Sequence, residues 1–108
     1  MYELRHYVDP QGQDLFARWL DKLSDRQARA RVAVRLIRLQ NGNFGDCRSV
    51  GGGVWELRVD WGPGYRVYYA IEGARVALLC EGGDKRTQTE DIARAIDRWT
   101  EWQTRSKR

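Results

Sequence analysis

A carboxylate, four cationic side chains and a phenol recur at spacings that can gather them on one surface. "VWELRVD" (54–60) alternates, with Trp55, Leu57 and Val59 on one side and Val54, Glu56, Arg58 and Asp60 on the other. "YRVYYAIE" (65–72) sets Tyr65, Val67, Tyr69 and Ile71 against Arg66, Tyr68 and Ala70. Period-two patterning predicts strands, and the "WGPG" between them predicts a hairpin turn. With Leu57, Val59, Val67 and Tyr69 turned to a core, Glu56, Arg58, Arg66 and Tyr68 share the opposite face. Cross-strand neighbours there are only ~5 Å apart. Lys85 and Arg86 follow the next strand, "RVALLCE" (75–81), and reach the same rim. A helix N-terminus within a few residues adds donors for an anion.

Two readings of this cluster stand. In one, Glu56 pairs with Arg58 or Arg66 and the charges satisfy each other on an exposed sheet face. In the other, the face is a concavity for phosphate. Arginine forks match phosphate oxygens, and a lysine supplies charge or proton transfer. RNA cleavage by its own 2′-hydroxyl needs a base, a charge stabiliser and an acid, and such a site can supply these.

The elements that must position the cluster are legible in the pattern. "YELRHYV" (2–8) alternates as a strand. Asp9 and Pro10 suit the cap and first position of a helix whose apolar face is Leu15, Phe16, Trp19, Leu20 and Leu23. "SDRQ" (24–27) fits a capping box. It opens a second helix to about Gln40, with Ala28, Val32, Leu36 and Leu39 buried. The two helices read as a hairpin. Asn41 or Gly42 ends it. Arg31, Arg35 and Arg38 lie on a different face, which is either solvated or a contact for RNA backbone or an acidic partner. Residues 44–50 suggest a short strand, and "GGG" (51–53) a flexible lead-in. "TQTE" (87–90) fits a further capping box, opening a last helix docked by Trp99 and Trp102. The "RSKR" tail is expected to fray. Trp61 and Tyr65 flank the turn; either stacks on bases, or Tyr65 belongs to the core. The order is β-α-α-(β)-β-β-β-α, with one sheet face under the helical hairpin and the other available.

Composition bounds the class. A chain of 108 residues is expected to be one domain, 1–108. A net charge of +4 favours polyanions or acidic proteins. No apolar run approaches the ~20 residues of a membrane helix. The start, "MYELRHYVDP", lacks a signal-peptide core, so a soluble, cytoplasmic protein is expected. Cys47 and Cys80 lack zinc or disulfide spacing, and Cys80 reads as a small core residue. The single histidine, His6, rules out a two-histidine metal site. No metal and no cofactor is expected.

Three blocks carry a resemblance: "GNFGD", "ELR-D-GPGYRVYY" and "GGDK-TQ--DI--A", within about residues 20–98. They resemble the addiction-module killer proteins, the HigB-like branch of the RelE/ParE toxin superfamily. The resemblance implies an α+β, RelE/ParE-like fold: a small antiparallel sheet, an N-terminal helical hairpin packed on one face, and a C-terminal helix. It implies the toxin of a type II toxin–antitoxin pair, an mRNA endoribonuclease acting on the ribosome without a metal. The partner it implies is a helix-turn-helix antitoxin, through which alone operator DNA is reached. The family's "GYR" arginine falls on Arg66, and its basic group after the last strand near Lys85 or Arg86. Arg66, Lys85, Arg58 and Glu56 are the expected catalytic group. Arg86, Gln88, Tyr68, Trp61, Arg31, Arg35 and Arg38 are the expected RNA contacts. Glu56 and Arg58 stand where RelE-type nucleases carry lysines, and the C-terminal tyrosine and the catalytic histidines of relatives have no counterpart. The ParE branch poisons DNA gyrase without cutting RNA, so a toxin that inhibits a protein target, or an inactive antitoxin-binding remnant, stays open.

Overall fold

The computed structural model describes residues 1–106. The elements are β1 (Glu3–His6), α1 (Leu15–Lys22), α2 (Arg26–Gln40), β2 (Cys47–Gly51), β3 (Val54–Val59), β4 (Tyr65–Glu72) and β5 (Val76–Asp84). A 3₁₀ turn (Lys85–Thr87) leads into α3 (Gln88–Ser106). The chain is α+β.

The sheet has five strands in the order β1-β5-β4-β3-β2. β2 through β5 form the antiparallel meander, but β1 joins β5 in parallel, with Glu3 opposite Val76 and His6 opposite Leu79. The sheet is therefore mixed, which corrects the antiparallel expectation. Alternation identifies a strand but leaves its partner to the topology.

Both faces of the sheet are covered. On one, Phe16, Val32 and Leu39 from the α1–α2 hairpin bury Leu57, Val59, Val67, Tyr69 and Leu79. On the other, Ala95 and Trp99 of α3 bury Val54, Tyr68, Ala70, Leu78 and Cys80, with Tyr7 alongside. The face expected to be available is thus largely occupied. The reason is its composition: those residues are mostly apolar, and removing them from water stabilises by roughly 25 cal/mol per Å². Burial pushes the Cys80 thiol up to about 12.

The glycines of "EGGD" make this two-sided packing possible. A Cβ at Gly82 would lie 2.1 Å from the Trp19 ring of α1, and one at Gly83 would lie 1.8 Å from Asp91 Oδ2 of α3. "GGG" is no flexible lead-in. All its residues have positive φ; Gly51 ends β2, and Gly52 and Gly53 make the turn to β3. A Cβ at Gly52 would come within 2.8 Å of Ile96, and one at Gly53 within 2.9 Å of Trp99.

The helix starts differ from expectation in a consistent way, because aspartates take the capping positions. Asp14 caps α1, accepting from Ala17 N at 2.9 Å, while Asp9 accepts from Gln11 N and Gln13 N and folds the loop before it. Asp25, one residue past Ser24, caps α2 through Gln27 N and Ala28 N. Asp84 caps the 3₁₀ turn through Arg86 N, and Thr87 Oγ1 donates to Asp91 Oδ2 at 2.6 Å. An ionised carboxylate accepts more strongly than a hydroxyl and suits the positive helix end. Within the expected frayed tail, Arg105 and Ser106 belong to α3, and Arg105 donates to the Val8 carbonyl at 2.6 Å. Lys107 and Arg108 lie outside the described residues. Among the described residues, no helix is long and apolar enough to cross a membrane.

Candidate anion-binding site

Arg58 on β3 and Arg66 on β4 are direct cross-strand partners. Directly opposed like charges destabilise a sheet, so each must be held by something else. Arg58 is held by Asp46, whose Oδ1 accepts from Nη2 at 3.0 Å and Nε at 3.2 Å. Arg66 is buried, only 8% exposed. Its Nη1 donates to the Gly64 carbonyl at 2.8 Å. Its Nε lies 3.5 Å from Glu56 Oε2 and has no hydrogen-bond partner.

Glu56 sits beneath this pair with no exposed surface. It accepts from Gln88 Nε2 at 2.8 Å, Arg48 Nε at 2.9 Å and the Tyr68 hydroxyl at 3.0 Å. Burial by itself would raise its carboxyl. The bonds from Arg48, Gln88 and Tyr68 outweigh that, and its pKa lies below the ordinary value. Burial, together with the Glu56 charge, pushes the Tyr68 phenol far up. Glu56 is thus an ionised, enclosed anchor for cations.

Above the anchor an open concavity of about 420 Å³ brings together Arg58, Arg66 and Lys85, with the "GPG" turn on one side and Asp46 and Asp60 on its rim. Lys85 is exposed at the mouth, placed there by the 3₁₀ turn that Asp84 caps. A Cβ at Gly64, where φ is +81°, would press to 3.3 Å of Arg66 Nη1. Two guanidinium groups and an ammonium around one opening can take the oxygens of a phosphate. Arg86 stands just outside, exposed and paired with Asp84 at 2.9 Å.

The other expected site residues disperse. Tyr68 has no accessible surface, so it cannot touch RNA. Glu56 is equally enclosed and has no route to a substrate proton, which removes it as a base. Gln88 is bound to Glu56. Trp61 faces α2: its Nε1 donates to Asp25 Oδ2 at 3.1 Å, and the Arg31 guanidinium lies 3.9 Å over its ring. That ring is not free to stack on a base. Arg35 points inward, its fork donating to the carbonyls of Arg58, Phe44 (3.0 Å) and Asp46. Arg31 and Arg38 remain exposed on α2.

Asp46 and Arg48 escaped the sequence reading. Their signal is the hairpin register: a turn at "GGG" places Arg48 opposite Glu56 and Cys47 opposite Leu57. Among the described residues, no group of three or more His, Cys, Asp and Glu side chains is placed to hold a metal ion. His6 Nδ1 lies 2.7 Å from Asp14 Oδ2.

Residues 18–100 match the family of phage-derived Gp49-like proteins. The chain belongs to this family. The family is associated with toxin–antitoxin systems. The chain is 53% identical over 81 residues to an uncharacterized protein of Haemophilus influenzae, a stretch covering 74% of this chain and 81% of the relative. The matched range runs from within α1 to within α3 and includes Arg58, Arg66 and Lys85.

Proposed function

We propose that the chain is the toxin of a type II toxin–antitoxin module and a metal-independent mRNA endoribonuclease acting on the ribosome in the cytoplasm. The observation that carries this reading is the direct opposition of Arg58 and Arg66 at the concavity that Lys85 completes. The family's association with toxin–antitoxin systems supports the class.

In this reading a phosphodiester enters the concavity and its non-bridging oxygens accept hydrogen bonds from Arg58 and Arg66. The adjacent 2′-hydroxyl attacks phosphorus and its proton passes to water. The bond to the 5′-oxygen breaks, and the Lys85 ammonium donates the proton that this leaving oxygen needs. The products are a 2′,3′-cyclic phosphate and a 5′-hydroxyl. Donors aimed at the developing charge contribute roughly 10²–10³ in rate each. Glu56 acts by holding Arg66 in place. A helix-turn-helix antitoxin neutralises the toxin and alone brings it to operator DNA.

The test is brief induction in bacteria without antitoxin, followed by mapping of new RNA 5′ ends. New ends inside translated frames, absent with Arg66→Ala, are expected. Growth arrest without new ends would move the reading to a protein target such as DNA gyrase. Harmless expression of the folded chain would leave an antitoxin-binding remnant.

A further inference from the structure

α2 carries a second surface that the anion site does not use. Its inner stripe, Ala28, Val32 and Leu39, is fully buried, yet Val34 is 46% exposed and Ile37 57%. An open groove of about 430 Å³ runs between α2 and the end of β3. Ala30, Val34 and Val59 form its apolar floor, and Arg31 and Arg38 edge it. The Trp61 ring under Arg31 fixes that guanidinium at the groove. Asp60 is the one carboxylate among its lining residues.

Two chemistries are interleaved here, aliphatic and cationic, and an occupant must answer both. An RNA backbone would satisfy the arginines but set phosphates against Val34. A second copy of the chain would bring Arg31 and Arg38 against their own counterparts. An acidic amphipathic helix answers both, with its apolar stripe at i, i+3, i+4, i+7 on the floor and its carboxylates on the arginines.

We propose that the α2 groove docks an acidic amphipathic helix of a partner protein, seated on Ala30 and Val34, covering the exposed Ile37 one turn beyond Val34, and paired with Arg31 and Arg38. The groove shares Val59 and Asp60 with the anion site. The end of a docked helix therefore lies at the mouth of the concavity and competes with a polyanion there. That last consequence rests on the proposed function; the docking itself does not.

The test titrates the purified chain with a fluorescein-labelled synthetic helix of about four turns, leucines on one stripe and glutamates beside it. A twin with lysines for glutamates and a labelled oligoribonucleotide serve as comparisons. The glutamate peptide is expected to bind and the lysine twin not. The double variant Val34→Ser/Ile37→Ser, whose charge is unchanged, and the single variant Arg38→Glu are each expected to weaken the peptide at least about tenfold. The serine variant should hold its oligoribonucleotide affinity within about twofold and keep its circular dichroism. No peptide binding, equal binding of the twin, or equal binding by the serine variant overturns the proposal. Loss of oligoribonucleotide affinity in the serine variant makes α2 an RNA surface and also overturns it. Arg66→Ala reports separately on the anion site: if it leaves RNA binding and cleavage intact, the proposed function fails while the peptide arm stands.

Discussion

Arg58 and Arg66 face each other across β3 and β4 at paired positions, and each is paired with a different carboxylate. Asp46 holds one from the rim and Glu56 the other from beneath. A sheet optimised for stability would not oppose two arginines, so their opposition is expected to serve binding. Arg58→Ala tests this. Its ion pair with Asp46 is half-exposed, and such pairs contribute about 0–1 kcal/mol. Urea unfolding should shift by no more than about that amount. Affinity for an oligoribonucleotide should fall, and the slope of log K against log salt should lose about one unit.

Arg35 separates positioning from contact. It lies behind Arg58, where its fork ties the Arg58 carbonyl to those of Phe44 and Asp46. Lysine offers a point charge in place of a planar fork and cannot reproduce this. Arg35→Lys is expected to loosen the segment carrying Asp46 and to lower oligoribonucleotide affinity several-fold. Because Arg35 meets no phosphate, the salt slope should stay as in the unaltered chain. A slope that falls by about one unit would make Arg35 a contact.

The strands of this protein were readable because Leu57, Val59, Val67 and Tyr69 alternate with side chains of another kind, and the structure buries those residues together. The covered second face was also written in the chain, in Val54, Tyr68, Ala70, Leu78 and Cys80. Polar neighbours on the same face, Glu56 and Arg66, masked it. Alternation and strand order are enough to put Arg58, Arg66 and Lys85 near one another, and the three line one concavity. The burial of Glu56 and Tyr68 was not legible, since it depends on where α3 lies, and an amphipathic helix states that it needs a partner without stating which. The parallel β1–β5 pair is lost for the same reason: it is a long-range choice with no local residue to announce it.

The paired glycines of β5 make a stability prediction. Alanine at Gly83 would drive its Cβ into Asp91, and alanine at Gly82 would drive it into the Trp19 ring. Neither neighbour can retreat cheaply. Asp91 is bonded to Thr87 and Arg94, and Trp19 packs against Phe16 and Tyr65. Overpacking of this kind costs about 1–3 kcal/mol and sometimes more. Each variant is expected to lose at least about 2 kcal/mol in urea unfolding. A glycine at a position open to solvent in left-handed backbone, such as Gly73, should lose only about 1 kcal/mol on the same change.

The Glu56 anchor makes a pH prediction whose sign follows from its environment. Gln88, Arg48 and Tyr68 all donate to it, and its folded pKa lies below the ordinary carboxylate value. A carboxyl depressed on folding binds its proton more tightly in the unfolded chain. Its stabilisation is therefore fully present above the unfolded pKa, near about 4.3 for glutamate, and is lost as pH falls through the lower folded value. Glu56→Gln keeps the size and the acceptor oxygen but removes the charge. Arg48 is half-exposed and screened, so the cost at pH 7 should be about 2 kcal/mol, less than for a fully dry ion pair. The gap between the two proteins in urea midpoint should hold constant from neutral pH down to about 5 and then close below about 4. A gap that widened on acidification would mean that Glu56 is protonated in the fold and does not anchor Arg66 by charge.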